Sequence, residues 1–361
     1  MLYHICMRVK MISVKLIQIK YTKYKKGKIM NIGNIKINAV AALAPMAGVT
    51  DKAFREICAL CGAAYFTSEM ISTKGLIYNS QKTFDLMQRS EYDNPFAIQL
   101  FGNTPSDFAK AIEIIQKNSL IPDIIDINMG CPATKIVKEN SGSALMKNPQ
   151  LCGEIVKSAK SVSPVPVTVK IRSGWNYKTI NAVEIAKICE QSGADAITVH
   201  ARTKEQGYSG KSNLEVIKKV KENVKIPVIG NGDIIDAASA KHMMNFTKCD
   251  MVAVGRGAMG NPWIFSEINA SVLGKSNYSV PTIDEKIKLI KTHIQKICTY
   301  KGEQRGIKEA RKHMASYIKD IPNAANFRKE AFSAESKDEL FALCDKISKS
   351  ENQIYMQEGK I

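Results

Sequence analysis

Short runs of apolar and β-branched residues recur along most of the chain, and segments with helical periodicity lie between them. Continuous apolar runs of this length are typical of strands that are buried on both faces of a parallel sheet. Each of these runs is therefore predicted to form a strand. The eight predicted strands are Val40–Met46, Ala63–Ser68, Phe96–Phe101, Asp123–Ile127, Pro166–Ile171, Asp195–Val199, Ile226–Ile229 and Asp250–Val254.

The intervening helical segments complete a regular alternation of strand and helix. Eight such units between residues 30 and 270 match the count and length of a (β/α)8 TIM barrel, whereas a doubly wound sheet usually has fewer strands. The predicted fold is therefore α/β, with a barrel over residues 30–270. Helices with clear starting signals are predicted at Thr50–Cys61, Pro105–Gln116, Pro149–Ser161 and Ala182–Ser192.

From about Thr282 onward the pattern is purely helical. Apolar residues at spacings of three and four mark one buried stripe, Ile287, Ile290, Ile294 and Ile297. Further helices are predicted near Gln304–Ile321 and Lys337–Ser348, and the Ser-, Gly- and Asn-containing stretch Asn269–Pro281 is predicted to be a linker. Residues 282–361 are thus expected to form a small all-α domain.

The charge of the chain points to a polyanionic partner. The 361 residues include 52 Lys and Arg against 34 Asp and Glu, a formal net charge of +18. Nucleic acid or an acidic membrane surface would attract such a chain, and a genome that favours lysine codons is the alternative explanation. Residues 1–29 hold seven Lys and Arg8 without an acid, and form either a basic N-terminal extension or a segment upstream of the true start at Met30. No apolar stretch is long enough to span a membrane.

The cysteines favour a reducing, cytoplasmic location. There are nine, an odd number scattered along the chain, which is not the pattern of a disulfide framework. Cys58 and Cys61 form a C-x-x-C pair inside a predicted helix, without a second pair or a histidine at zinc spacing. We therefore expect no metal site.

Polar residues follow the predicted strands at their C-terminal ends. In a (β/α)8 barrel these ends converge on one face, where binding and catalytic groups lie. A shared pocket is therefore predicted there. Its members are Met46 to Gly48, Ser68, Glu69, Gln99, Asn128, Gly130 to Pro132, Lys170, Arg172, His200, Arg202, Asn231 to Asp233 and Gly255 to Gly257.

The last two strand ends are predicted to bind a phosphate group. Gly255–Gly260 matches G-x-G-x-x-G, but a Rossmann motif follows a first strand, whereas this one follows the last strand and precedes Pro262. In barrels, the loops after strands seven and eight commonly hold phosphate, because glycine lets backbone N–H groups approach the oxygens. Asn231-Gly232-Asp233 and Gly255-Arg256-Gly257 occupy those loops, and Arg256 offers a charged contact.

Three other pocket residues carry candidate chemistry. Lys170 and His200 end neighbouring strands, and a buried lysine needs an accepting partner such as a reduced flavin ring, unless it forms a Schiff base as in aldolases. Cys131 follows the fourth strand, where a thiol could act as a general acid or as a thiolate nucleophile. The sequence leaves these alternatives open.

A basic stripe is predicted on the helical domain. Arg305, Lys308 and Lys312 fall at i, i+3 and i+7, and Arg311 lies beside them. Such a stripe is either a solvated helix face or a contact surface for a phosphate backbone.

The motifs together resemble the tRNA-dihydrouridine synthase family, in particular its bacterial B-type branch. The resemblance extends from about Met30 to the last helices and includes the helical-domain motif Ala310-Arg311-Lys312-His313. Residues 1–29 have no counterpart in it. The barrel motifs that carry it are Ala44 to Asp51, Asp126 to Pro132, Lys170 to Trp175, His200 to Thr203, Asn231 to Asp233 and Gly255-Arg256.

The resemblance implies an FMN enzyme that uses NADPH to reduce the C5–C6 double bond of particular uridines in tRNA, with the D-loop as the expected region. It implies that flavin N5 gives hydride to C6 while Cys131 protonates C5, and that Asn128 and Arg172 hold the base. The basic residues Arg305, Lys308, Arg311 and Lys312 would contact tRNA. The implied flavin contacts are Ala44, Pro45 and Met46 against the ring, Gln99 and Lys170 bonded to the isoalloxazine, and His200, Asn231, Gly232, Asp233, Gly255 and Arg256 at the ribityl phosphate.

Two other functions compete with this one. An FMN-dependent reductase or dehydrogenase of a free pyrimidine, like the dihydroorotate dehydrogenases, would share the flavin residues but would not need a basic helical domain. A non-catalytic RNA-binding protein would not need Cys131, Lys170 or both phosphate loops.

Overall fold

The computed structural model describes residues 30–38, 40–120, 122–274, 278–319 and 321–357. The predicted basic extension, residues 1–29, lies outside these residues, and so do positions 275–277 of the predicted linker.

Eight parallel strand positions close into a barrel, which confirms the predicted fold. The barrel strands are β3 (Ala41–Leu43), β4 (Phe66–Thr67), β5 (Ile71–Ser72), β6 (Phe96–Phe101), β7 (Ile124–Met129), β8 (Val167–Arg172), β9 (Ala196–His200), β10 (Val228–Asn231) and β11 (Met251–Val254). Their order around the barrel is β3, β4, β6, β7, β8, β9, β10 and β11, and β11 pairs with β3. The short strand β5 continues the position of β4 after a break at residues 68–70.

Helices surround the barrel. The four helices predicted with clear starting signals are all present, and further short helices follow β5 and β7. The helices are α1 (Lys52–Leu60), α2 (Thr73–Ile77), α3 (Gln81–Asp85), α4 (Pro105–Lys117), α5 (Thr134–Lys138), α6 (Pro149–Val162), α7 (Ala182–Gln191), α8 (Leu214–Asn223), α9 (Ala237–Thr247) and α10 (Ile264–Val272), with 3-10 turns at Gly142–Lys147 and Arg256–Ala258.

The predicted linker begins too early in the sequence. Positions 269–272 belong to α10 instead, because this helix buries apolar residues such as Ile268 against the barrel core. Its polar side chains also bond to the barrel: Ser266 Oγ donates to the Cys61 carbonyl at 2.6 Å, and Asn269 Nδ2 donates to the Gly62 carbonyl at 2.8 Å.

The N-terminal end of the barrel is closed by a hairpin of β1 (Met30–Ile32) and β2 (Ile35–Ile37). Met30, Ile32 and Ile37 are buried there against apolar residues of the barrel strands.

At the same end of the barrel, three aspartates each accept a hydrogen bond from the backbone N–H at the start of the preceding strand. Each also accepts from a Lys or Arg side chain of the segment that leads into that preceding strand. They are Asp123 with Phe96 N and Arg89, Asp195 with Val167 N and Lys160, and Asp250 with Val228 N and Lys221.

Four helices follow the barrel: α11 (Ile283–Lys301), α12 (Glu303–Tyr317), α13 (Ala324–Ser333) and α14 (Lys337–Gln357). The predicted isoleucine stripe of α11 is buried in their common core. This unit packs on α1, where Glu56 accepts from Lys296 at 2.5 Å and from Tyr300 at 2.8 Å. Within the residues described, no helix has the length and apolarity needed to cross a membrane.

Candidate functional site

A cavity of about 1570 Å³ opens at the C-terminal ends of the barrel strands and extends to the helical unit, which contributes Ile287, Ile290 and Tyr317. All of the barrel residues predicted to bind a cofactor, bind the substrate or carry the chemistry line this one cavity. They are Ala44, Pro45, Met46, Gln99, Asn128, Cys131, Lys170, Arg172, His200, Asn231, Gly232, Asp233, Gly255 and Arg256.

A chain of buried hydrogen bonds fixes the floor of the cavity. Gln99 Nε2 donates to Asp126 Oδ2 at 2.6 Å, and Asn128 Nδ2 donates to Gln99 Oε1 at 2.8 Å. Thr168 Oγ1 donates to the other oxygen of Asp126 at 2.6 Å. Because the oxygen and the nitrogen of each side-chain amide are both hydrogen-bonded, the orientations of Gln99 and Asn128 are set before any ligand binds.

Lys170 places a cation with spare donors in the cavity. Its Nζ donates to Asn231 Oδ1 at 3.1 Å, and Asn231 is held in turn by a bond to the Ala253 carbonyl. Burial, together with the charge of Arg172, lowers the pKa of Lys170 to about 8. The ammonium form therefore predominates at neutral pH, and an ammonium has three N–H donors. Only one of them is used among the described residues, which favours a donor role over a Schiff-base nucleophile.

Cations surround His200 at the ends of β8 to β11. Burial first, and then the charges of Lys170, Arg172, Arg202 and Arg256, lower the pKa of His200 to about 2. The imidazole is therefore neutral, and its ring nitrogens form no hydrogen bond with the described residues. The cluster has an excess of positive charge and unused donors, so it suits an anionic ligand.

The two glycine-containing loops pack directly on each other. A Cβ at Gly257 would lie 2.2 Å from the Ile234 carbonyl oxygen, so only glycine fits there. Gly232 has a φ of +132°, which also favours glycine. Arg256 projects from this surface with about half of its side chain exposed.

Asp233 does not turn its carboxylate to the cavity as a free group. It accepts from Ser212 N at 2.8 Å and pairs with Arg202 at 2.7 Å. Any contact of this residue with a phosphate therefore falls to its backbone. Arg202 Nη1, by contrast, is buried without a hydrogen-bond partner among the described residues. Together with Lys170 and His200, this unused donor fits a ligand that carries a phosphate and hydrogen-bond acceptors.

Cys131 is half-buried on a loop that is held at several points. Asn128 Oδ1 accepts from Gly130 N and from Cys131 N at 3.1 and 2.9 Å. Arg172 Nε donates to the Gly130 carbonyl at 2.8 Å. Burial raises the pKa of the Cys131 thiol above its ordinary value, although the Ala133 amide and Arg172 act in the opposite direction. The thiol is therefore protonated at neutral pH, which favours an acid over a thiolate nucleophile.

Sequence reasoning missed two features of the cavity wall. No role was predicted for Tyr208, a residue that is 57% exposed and whose ring centre lies 4.5 Å from Arg256 Cζ. Arg202 stood in the predicted ring without an assigned role. An exposed tyrosine in a loop carries no sequence signal, whereas Arg202 was recognisable from its position two residues after His200.

The basic stripe does not line the cavity. Arg305 pairs with Glu309 at 3.0 Å, and Arg311 Nε donates to the Ala334 carbonyl at 2.8 Å. Lys308 and Lys312 are exposed and have no side-chain partner among the described residues. Only these two lysines of the stripe thus have side chains that are both exposed and uncommitted.

The remaining cysteine pair lies away from the cavity. Cys58 and Cys61 are buried in and next to α1, and burial raises the pKa of both thiols. Among residues 30–38, 40–120, 122–274, 278–319 and 321–357, no group of three or more metal-ligating side chains is present.

Comparison with known proteins identifies the family. The family model for dihydrouridine synthase matches residues 42–352. The tRNA-dihydrouridine synthase B of Pasteurella multocida is 40% identical over 317 residues, which cover 87% of this chain and 94% of the relative. A probable tRNA-dihydrouridine synthase of Rickettsia bellii is 42% identical over 300 residues, which cover 83% of this chain and 91% of the relative.

Among solved structures, histamine dehydrogenase from Rhizobium sp. 4-9 has a TM-score of 0.51 at 14% identity. The match covers 76% of this chain and 51% of that one, and it shows a shared fold alone. The sequence resemblance is confirmed by the family model and by the two bacterial relatives. The chain belongs to the dihydrouridine synthase family, and is an enzyme of the flavin-dependent oxidoreductase class.

Proposed function

We propose that the protein is a tRNA-dihydrouridine synthase that uses FMN and NADPH to reduce the C5–C6 double bond of particular tRNA uridines to 5,6-dihydrouridine. One observation carries the proposal: in a chain of this family, every barrel residue implied by the resemblance lines the same cavity. The curated relatives that match over most of the chain are named for this reaction. A cytoplasmic location follows from a tRNA substrate.

The cavity residues divide by their unused hydrogen-bonding capacity. Ala44, Pro45 and Met46 would pack against the isoalloxazine, since they directly follow β3 and line the cavity with apolar atoms. Gln99 and Lys170 would donate to it. The phosphate end would be held by His200, by the backbone of Asn231 to Asp233 and of Gly255, and by the Arg256 side chain; the excess of cations around them supports this assignment.

Reduced FMN held by these residues would supply the hydride that C6 of the uracil receives. Cys131 then supplies the proton: its S–H bond breaks as a C–H bond forms at C5, so that two hydrogens are added in all. The raised pKa keeps the proton on sulfur until this step, and the charges of Arg172 and Lys170 stabilise the thiolate that remains.

Arg172 and Asn128 would hold the base. Arg172 Nε and Nη1 are committed to the carbonyls of Gly130, Thr203 and Gly207, which leaves Nη2 without a partner among the described residues. Asn128 is bonded at both ends of its amide, and one N–H remains. These spare donors match the two carbonyl oxygens of uracil.

The helical unit would bind the rest of the tRNA. A uridine must leave its stack to reach the cavity, at a cost of a few kcal/mol that other contacts must offset. Lys308 and Lys312 are exposed on α12 and can contact phosphates, and Arg305 and Arg311 extend the basic stripe beside their present partners. We accordingly divide the chain into a catalytic barrel, residues 30–270, and a tRNA-binding helical domain, residues 282–361.

Mass analysis of nucleosides tests the proposal. The purified protein is incubated with tRNA that lacks dihydrouridine, FMN and NADPH. We expect a uridine species heavier by two hydrogens, and fragment mapping then locates it, with the D-loop as the expected region. If no such species forms while NADPH is still oxidised, the function is instead reduction of a free pyrimidine or another small molecule.

A further inference from the structure

Two lysines lie against one tryptophan in the segments that follow the C-terminal ends of β7, β8 and β9. Lys147 Nζ is 3.4 Å and Lys204 Nζ is 4.5 Å from the centre of the Trp175 ring. Neither ammonium pairs with a carboxylate among the described residues, whereas Lys160 and Lys221 at the opposite end of the barrel both do. The indole thus holds two uncompensated cations near each other.

The three loops that carry these residues are tied together. Lys204 N donates to the Gly174 carbonyl and Glu205 N donates to the Trp175 carbonyl, each at 3.0 Å. Asn181 Nδ2 donates to the Met146 carbonyl at 2.8 Å, beside Lys147. A Cβ at Gly174 would lie 2.3 Å from the Thr179 carbonyl oxygen, so the Trp175 loop is tightly folded. The backbone segments that carry the two lysines and the tryptophan are therefore held together by these contacts.

These three residues, which we call the Trp175 patch (Lys147, Trp175 and Lys204), lie on the side of the cavity opposite the helical unit. Its residues follow β7, β8 and β9, and β8 is four strand positions from β3 in either direction around the barrel. The helical unit packs on α1, which follows β3. Basic groups therefore flank the cavity on both sides.

The patch is also connected to the reacting end of the cavity. Arg172 Nη1 donates to the Thr203 carbonyl at 2.9 Å, one residue before Lys204, and Arg172 Nε donates to the Gly130 carbonyl, one residue before Cys131. One arginine therefore joins the loop of Cys131, where the base would be presented, to the loop of Lys204.

We propose that the Trp175 patch binds backbone phosphates of the RNA substrate, on the side of the cavity opposite the helical domain. The inference rests on the proposed function. Two uncompensated ammonium groups on one indole repel each other, and backbone phosphates that contact them offset this repulsion with attraction. With the helical stripe, the patch makes a two-sided contact that holds the RNA on both sides of the extruded uridine.

The test is the salt dependence of tRNA binding to the FMN-loaded protein. The double variant Lys147→Ala/Lys204→Ala should bind tRNA more weakly at low salt, and the slope of log affinity against log salt should be shallower by about 1.4 to 1.8, for two lost phosphate contacts. The matched control is Lys157→Ala/Lys219→Ala. These two lysines are exposed on the outer helices α6 and α8, and their substitution removes the same net charge. The salt slope of this control variant should therefore stay close to that of the wild type.

Three results separate the possibilities. A slope for the double variant equal to that of the control would overturn the patch, even if the wild type makes dihydrouridine. A raised KM for NADPH with unchanged tRNA binding would also overturn it, by assigning the phosphate contact to the reductant. Failure of the wild type to make dihydrouridine at all would refute the proposed function instead. The double variant Lys147→Arg/Lys204→Arg should keep the salt slope of the wild type, because both positive charges remain.

Discussion

The two ends of the barrel treat their polar groups in opposite ways. At the N-terminal end, Asp123, Asp195 and Asp250 each bind a strand-initiating N–H and a Lys or Arg side chain. At the C-terminal end, Lys170, Arg172 and Arg202 are held by the protein but keep unused donors. The strands between them are the same, so the strands themselves do not determine which end binds ligands.

The difference lies in what each arrangement costs the free protein. A buried donor without a partner costs about 1–3 kcal/mol, so unused donors are retained at a site only where a ligand completes them. The N-terminal end avoids this cost with repeated carboxylates. The C-terminal end carries this cost. Burial beside other cations also lowers the pKa values of Lys170 and His200 at this end. One end stabilises the fold, and the other is prepared for an anionic ligand.

The largest effect is expected at Cys131. Replacing Cys131 by Ala removes the only proton donor that we assign to C5, so the rate of dihydrouridine formation should fall by about 10²- to 10⁴-fold, the usual contribution of a general acid. Flavin content and the oxidation of NADPH should not change, because neither step uses the thiol. Mass analysis of nucleosides and flavin absorbance measure the two.

Cys131→Ser provides the comparison for that variant. A hydroxyl is a much weaker acid than a thiol, and so this variant should be nearly as slow as Cys131→Ala while keeping the size of the side chain. If either variant reduces tRNA at the wild-type rate, Cys131 has no part in proton transfer, and the spare donors of this end serve binding alone.

A smaller effect is expected when the charge of Lys170 is removed by pH. Its pKa of about 8 means that the ammonium loses its proton as pH rises through 8, so the affinity of the apoprotein for FMN should decrease above that pH. Lys170→Met should bind FMN more weakly at pH 7 and show no such decrease. Quenching of flavin fluorescence measures both. A wild-type affinity that is constant from pH 7 to 9 would contradict the assignment.

Unfolding linked to the titration of Lys170 cannot account for this decrease. The pKa of Lys170 is lower in the folded protein than its ordinary value of 10.5, so the unfolded chain binds more protons between about pH 8 and 10.5. Through this residue the apoprotein gains stability as pH rises in that window. Lys157→Met, on the outer face of α6, should keep the wild-type dependence of FMN affinity on pH.

The sequence was sufficient for most of the cavity because barrel topology does the assembly. Once eight strands are recognised from their apolar runs, their C-terminal ends must meet, and residues as distant as Ala44 and Arg256 are brought to one cavity without any pairwise signal. The continuation of the second strand position as β5 was not predictable in this way, since only two apolar residues, Met70 and Ile71, follow the polar segment Thr67 to Glu69.

Contacts between loops could not be predicted from the sequence. Lys147 and Trp175 are 28 positions apart, and only the folded loops bring the ammonium onto the ring. The same holds for Arg311, which lies beside the other cations of its stripe in the sequence but donates to the carbonyl of Ala334, the residue that follows the next helix. Periodicity places a side chain on a helix face, whereas its partner depends on tertiary packing.

The smallest effect on catalysis, with a clear effect on stability, is expected at the N-terminal end. Asp195 Oδ2 accepts from Val167 N at 2.7 Å and from Lys160 Nζ at 2.5 Å. Asp195→Ala leaves that N–H without its acceptor, so the free energy of unfolding should fall by about 1–3 kcal/mol in urea titrations. Asp195→Asn keeps an acceptor and should lose less. Dihydrouridine formation at 25 °C should match the wild type in both variants, because the aspartate lies at the other end of β9 from the cavity. A loss of activity without a loss of stability would show that the two ends of the barrel are coupled, and would contradict the assignment of stability to one end and ligand binding to the other.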